Sequence, residues 1–374
     1  MNPGVNLVVS GVGTVRAEGF DFKTALGPRG YKYLPPASQF FLAAAKRALA
    51  DAGPGSLEAV DPERRAAAVG TNSAAASLHD AMDRTVIGTG AAELSPATAP
   101  YFSINLFGSR LATEHHLKGF NLTFTSPRVA GLEALQNGGR ALAAGRARWL
   151  LAGATEQALA EGEPGADTSE AGAVALVLEP AAAVAARGGR VYGTVAVRSF
   201  FLPPAMAASE GGAGRARALI EGALDALGHP AGGPAPGGPQ PVTAVLDGSP
   251  VGRAVAAALG ERAEHVPAGA GCLEPVARVA AALADGAGPA RVVVTAAAEG
   301  NAAVCLVTPA GRAGTQAAAR AATQAERQAA AQAETRAAAQ AETRAGTRAA
   351  ARAERQAAAR AERQAAARAE EGGG

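Results

Sequence analysis

Residues 122–135, LTFTSPRVAGLEAL, set an apolar strand (122–125) directly against Ser126, Pro127 and a helix-compatible run from 129 to 142. A sharp strand-to-helix junction is where many α/β enzymes hold a nucleophile, because the first helical turn favours an anion. With Ser126 as N-cap and Pro127 as first helical residue, Arg128 falls in that first turn. A cysteine there would have its thiolate stabilised. A guanidinium keeps its proton at any useful pH and is no nucleophile. It also stands at the unfavourable end of the dipole, at a cost of about 0.3–1 kcal/mol unless a carboxylate pairs with it. Arg128 is therefore expected to turn outward to water or to bridge to a neighbouring subunit.

Other chemistry-bearing residues are sparse. GVGTVR (11–16) lacks the third glycine of a dinucleotide loop, Arg16 standing in its place, so no cofactor is expected. His115 and His116 are adjacent on a predicted helix and point to different faces, a poor metal pair. No G-x-S-x-G occurs, and Ser249 beside Asp247 has no histidine assigned to it. Cys272 and Cys305 fall inside apolar elements, are expected to be inert core, and form no disulfide framework. Two distant cysteines fit a reducing cytoplasm.

The elements that must position these residues alternate. Strands are predicted at 6–13, 66–70, 122–125, 149–152, 173–178, 190–201, 242–246, 291–295 and 302–308. Helices are predicted at 38–52, with Ser38 as N-cap, and at 105–117, 129–142, 214–227, 251–259 and 273–284. Such alternation predicts an α/β fold with mixed, mostly parallel sheets covered on both faces. The similar order of the two halves predicts a duplication joined near 179–189. That divides the chain into an N-terminal half (1–180), a C-terminal half (181–310) and a tail (311–374). A Gly/Pro-rich surface loop is expected at 229–241.

The tail is Ala, Arg, Gln, Glu and Thr, with RAERQAAA recurring every eight residues. These are strong helix formers with no Leu, Ile, Val or aromatic residue to bury, so a solvated extension, helical or disordered, is expected. A formal charge of +2 gives no case for nucleic acid. The sequence shows no basic leader before a long apolar run, and no uninterrupted apolar stretch of spanning length.

The succession YLPPASQFFLAAAKRALADAG (33–53), AAAVGTNSAAAS (66–77), residues 94–156 and SEAGAVALVLEP (169–180) resembles the β-ketoacyl synthases of type II fatty-acid and polyketide synthesis. The resemblance spans about residues 5–309 and implies the thiolase-like fold of duplicated αβαβα layers. In that family the mount carries an acyl-accepting cysteine, and register puts Arg128 there. Asp247, in AVLDGSPVG, stands where the first catalytic histidine is expected. The Lys-Ser-x-x-Gly-His segment is expected to be missing before the 273–284 helix, with His265 out of register. The Gly-rich closing loop is reduced to AAAEGN (296–301), and the link 157–169 is short where active members carry an insertion.

The resemblance thus implies a subunit without catalysis of its own, similar to the chain-length factors (ketosynthase β subunits). It pairs with an active ketosynthase and serves an acyl carrier protein. Chain-length factors usually carry glutamine where Arg128 stands. The resemblance further implies dimer pairing through Asn121, Leu122, Thr123, Phe124 and Thr125. Ser73, Ala74, Ser77, Thr98, Phe102 and Phe107 would face a tunnel that sets chain length. The rival expectations are thioester hydrolysis or decarboxylation on the same fold, the former using Asp247 or Ser249, and scaffolding through the tail.

Overall fold

The computed structural model describes residues 7–228, 240–286 and 288–311. Most of the expected 229–241 loop and all but the first residue of the expected tail lie outside the described residues, as does the separate unit Arg320–Gly374.

Among the described residues the strands are β1 (Leu7–Arg16), β2 (Arg65–Gly70), β3 (Asn121–Phe124), β4 (Trp149–Glu156), β5 (Gly172–Pro180), β6 (Gly193–Phe201), β7 (Val242–Leu246), β8 (Ala263–Pro267), β9 (Arg291–Ala296) and β10 (Asn301–Pro309). The α-helices are α1 (Phe22–Ala25), α2 (Pro36–Ala52), α3 (Ala76–Gly88), α4 (Leu106–His115), α5 (Ala130–Ala143), α6 (Ala181–Ala186), α7 (Pro204–Ala207), α8 (Gly212–Ala226), α9 (Pro250–Leu259) and α10 (Leu273–Ala284).

The strands hydrogen-bond in the order β3-β2-β4-β5-β1-β6-β10-β9-β7-β8. Counted from the centre, each half repeats the other's order in mirror image, which is the expected duplication. The halves meet where Val9 of β1 pairs Gly193 of β6. The sheet is mixed, but the expected preponderance of parallel pairs needs correcting. Parallel pairs occupy the two ends, and every pair from β4 through to β9 is antiparallel. The antiparallel strands close each half without a crossover helix.

α2 covers one outer face, packing on β1, β5 and β4, while α8 and α9 cover the other half. α5 and α10 each touch strands of both halves and one another, and so form the central helical layer. Glycine makes two of these contacts possible. A Cβ on Gly13 would overlap the Ala44 carbonyl of α2, and one on Gly131 would overlap Val276 and the Cys272 carbonyl at the α5–α10 crossing. Ser38 is not the N-cap of α2. The helix begins at Pro36, whose missing N–H costs nothing at the first position, and Ser38 is buried inside it. No helix among the described residues is long and apolar enough to cross a membrane.

Candidate functional site

α5 starts at Ala130, with Val129 as N-cap, so Arg128 is not in its first turn as the sequence predicts. It lies one step earlier, at φ +61° in the left-handed region. For a non-glycine residue this costs about 1–2 kcal/mol. The turn is closed by Ala130 N–H to the Ser126 carbonyl (3.1 Å) and Val129 N–H to the Pro127 carbonyl (2.7 Å). Asn72, from the loop after β2, holds it from outside. Its Oδ1 accepts the Arg128 N–H at 3.3 Å, and its Nδ2 donates to the carbonyls of Thr125 (3.0 Å) and Ser126 (3.4 Å).

The Arg128 side chain turns inward within this chain rather than out to water. Its Nη2 meets Asp247 Oδ2 at 3.1 Å, with the two side chains only 12% and 23% exposed. The residue expected at the nucleophile's place and the one expected at the first histidine's place thus neutralise each other across the two halves. Asp247 Oδ1 also accepts the Ser249 N–H (3.0 Å), and Ser249 Oγ accepts the Gly252 N–H (3.0 Å) to cap α9. The closing loop is likewise occupied internally, since the Gly300 N–H donates to the Ala297 carbonyl at 3.0 Å.

A second cluster lies at the start of α10. Gly271 and Cys272 stand directly ahead of the helix. His265 lies in β8, with its residue exposed. Cys272 is fully buried, and burial together with Glu156 and Glu170 pushes its thiol well above the usual range. It is no thiolate. Cys305 is raised to about 12 by burial alone.

Glu156, at the end of β4, is fully buried. It accepts the N–H groups of Asn72 (2.8 Å), Ser73 (2.7 Å) and Cys272 (2.9 Å) and the Ser73 hydroxyl (2.6 Å). Glu170, just before β5, accepts the N–H of Leu273 at 2.7 Å and of Glu274 at 3.3 Å through Oε2. Its Oε1 is buried without a partner. Desolvation first, and the charge of Glu156 further, raise its carboxyl to about 7, against the lowering effect of the Leu273 N–H. Sequence reasoning missed both glutamates. The available signal was an acid closing one strand and another opening the next, in GATE and SEAG.

The residues expected to line a tunnel separate into two groups. Ser73, Ala74 and Phe107 are buried in this chain, with Ser73 engaged by Glu156 and Phe107 packed 5.5 Å from Phe41. Ser77 is exposed on α3 and accepts a hydrogen bond from Gln157 Nε2 (2.8 Å). Thr98 is half-buried, and Phe102 is 57% exposed, its carbonyl bonded to His79 Nε2 at 2.6 Å. Asn121, Leu122, Thr123 and Phe124 form β3 at one end of the sheet, and Thr125 follows it. No group of three potential metal ligands occurs among the described residues.

Residues 10–193 match the model of the β-ketoacyl synthase N-terminal domain. Among solved structures, the ishigamide ketosynthase/chain length factor is similar at 21% identity and TM-score 0.63, over 81% of this chain and 99% of that one. A type II PKS acyl-carrier protein in complex with its ketosynthase bound to the hexaketide gives 15% identity and TM-score 0.61, over 82% and 99%. A β-ketoacyl synthase from Burkholderia phymatum STM815 gives 13% and 0.61, over 81% and 99%. No curated protein matches the sequence. Residues 10–193 are thus a β-ketoacyl synthase N-terminal domain, set in a chain with the thiolase-like ketosynthase fold of mixed sheet and helices.

Proposed function

We propose that this chain is a non-catalytic, chain-length-factor-like subunit that pairs with an active ketosynthase and helps set the length of an acyl chain carried by an acyl carrier protein. The observation that carries the reading is the Arg128–Asp247 ion pair at the strand-to-helix mount. Condensation needs a thiolate to hold the acyl group and free donors to steady the developing oxyanion. Here the mount offers a cation that is already paired, and its backbone N–H is taken by Asn72. The remaining cysteine near the site is buried and held protonated.

Hydrolysis by Asp247 or Ser249 has less support. The carboxylate is spent on Arg128, and the hydroxyl accepts the helix cap bond. Partner pairing would use β3, whose far edge no strand covers among the described residues. Exposed Ser77 and Phe102, with Thr98 beside them, are the residues that would reach a shared tunnel. Phe107, buried beside Phe41, is left out of this proposal. The similar ketosynthase/chain length factor and the ketosynthase–carrier complex are consistent with such partners. Co-expression with an active ketosynthase of the same pathway tests the reading. A stable one-to-one complex is expected, with shorter products when Ser77 is replaced by Phe. Failure of the two chains to co-purify, or unchanged product length, would count against it.

A further inference from the structure

A groove of about 490 Å³ runs along α10 between that helix and the outer part of β1, lined neither by Arg128 nor by any residue of α3. Its two long walls share one polarity. On β1 the residues of one face run Val12, Thr14, Arg16, from apolar to charged. On α10 the facing residues run Ala284, Ala281, Ala277, Glu274, in the same sense. Arg16 lies opposite Gly172 at the start of β5, and Glu170 receives the first N–H groups of α10. The charged ends of both walls therefore coincide.

Three charged residues, Arg16, Glu170 and Glu274, share that end. Glu274 is paired with Arg278 at 2.7 Å. Glu170 titrates near 7 and is largely neutral in mildly acidic solution. Among the described residues no carboxylate pairs with Arg16. The groove is about 13 Å long by the strand rise and about 15 Å by the helix rise. Its volume of about 490 Å³ is enough to hold an alkyl chain of that length, with alanine rather than aromatic walls.

We propose that this groove is a binding site for a linear, carboxylate-headed acyl chain of medium length, with its head at Arg16 and its tail along Ala277, Ala281 and Ala284. The site is distinct from the tunnel proposed above and does not depend on it.

Displacement of a fluorescent undecanoate probe from the full-length chain by dodecanoate, at pH 6.5, tests the site. Ala281→Trp fills the exposed apolar end and is expected to weaken dodecanoate by at least about tenfold. Arg16→Gln is expected to weaken it by roughly fivefold, to the level of dodecanol on the unaltered chain. Failure here is separable from failure of the tunnel reading, which is read by co-purification with a ketosynthase and by product length. Equal affinity of the Ala281→Trp and unaltered chains overturns the proposal. So does equal binding of acid and alcohol by the unaltered chain, or no displacement at all. Both altered positions are exposed, and a circular dichroism spectrum matching the unaltered chain confirms that the variants fold.

Discussion

The two halves solve one local problem in opposite ways. In each, an outer parallel strand leads into a central helix, β3 into α5 and β8 into α10. At α5 the junction places a cation in a left-handed turn near a helix N-terminus, and a carboxylate from the other half must neutralise it. At α10 the junction is Gly-rich, and the buried Glu156 and half-buried Glu170 accept the N–H groups of Cys272, Leu273 and Glu274. The second arrangement agrees with the helix dipole, and the first opposes it. A buried carboxylate with four or more donors is a structural anchor, whereas the partly exposed ion pair at a strained turn is the feature on which the proposed non-catalytic reading rests.

The largest effect should come from the α10 side. Glu156→Ala strips the partner from several buried donors at once and should destabilise the described unit by about 3–5 kcal/mol in denaturant unfolding. A loss within 1 kcal/mol would mean that the anchor is replaceable by water.

Glu170 sharpens the same contrast through pH. Its folded-state value of about 7 lies above the ordinary 4.5. Between those values the folded chain keeps a proton that the unfolded chain has lost. Stability should therefore fall as pH rises from about 4.5 to about 7 and level off above, by at most about 3 kcal/mol. Glu170→Gln should flatten that segment of the profile, which unfolding curves at several pH values would reveal.

On the α5 side the effects should be smaller. Asp247→Ala leaves Arg128 without its carboxylate and should cost about 1–3 kcal/mol. The Arg128→Leu, Asp247→Leu pair should recover most of that, and a double-mutant cycle separates the two. The smallest change concerns Ala75, also left-handed at φ +68° and buried at the N-cap of α3. Ala75→Gly should stabilise by up to about 1 kcal/mol, the relieved strain exceeding the entropy cost.

These particulars also show what the sequence could carry. The strands β1, β7 and β10 and the helices α9 and α10 were legible because their apolar residues face a core on a regular period. α3 buries no residue fully, and β8 is mostly exposed at a sheet end, so neither leaves such a pattern. The mount was visible as a strand meeting a helix, but not its left-handed turn, since no glycine marks it. The Arg128–Asp247 pair joins residues 119 positions apart, and spacing alone gives no hint of it. The start of α2 was misplaced because a Pro-Pro step outweighs a serine three residues into the run.

Intact-protein mass spectrometry after incubation of this chain alone with an acyl-loaded carrier protein, or with an acyl thioester, tests the central claim most directly. With Arg128 and Asp247 paired and Cys272 protonated, the account predicts an unchanged mass. An acyl group covalently attached to any residue of the chain would contradict it.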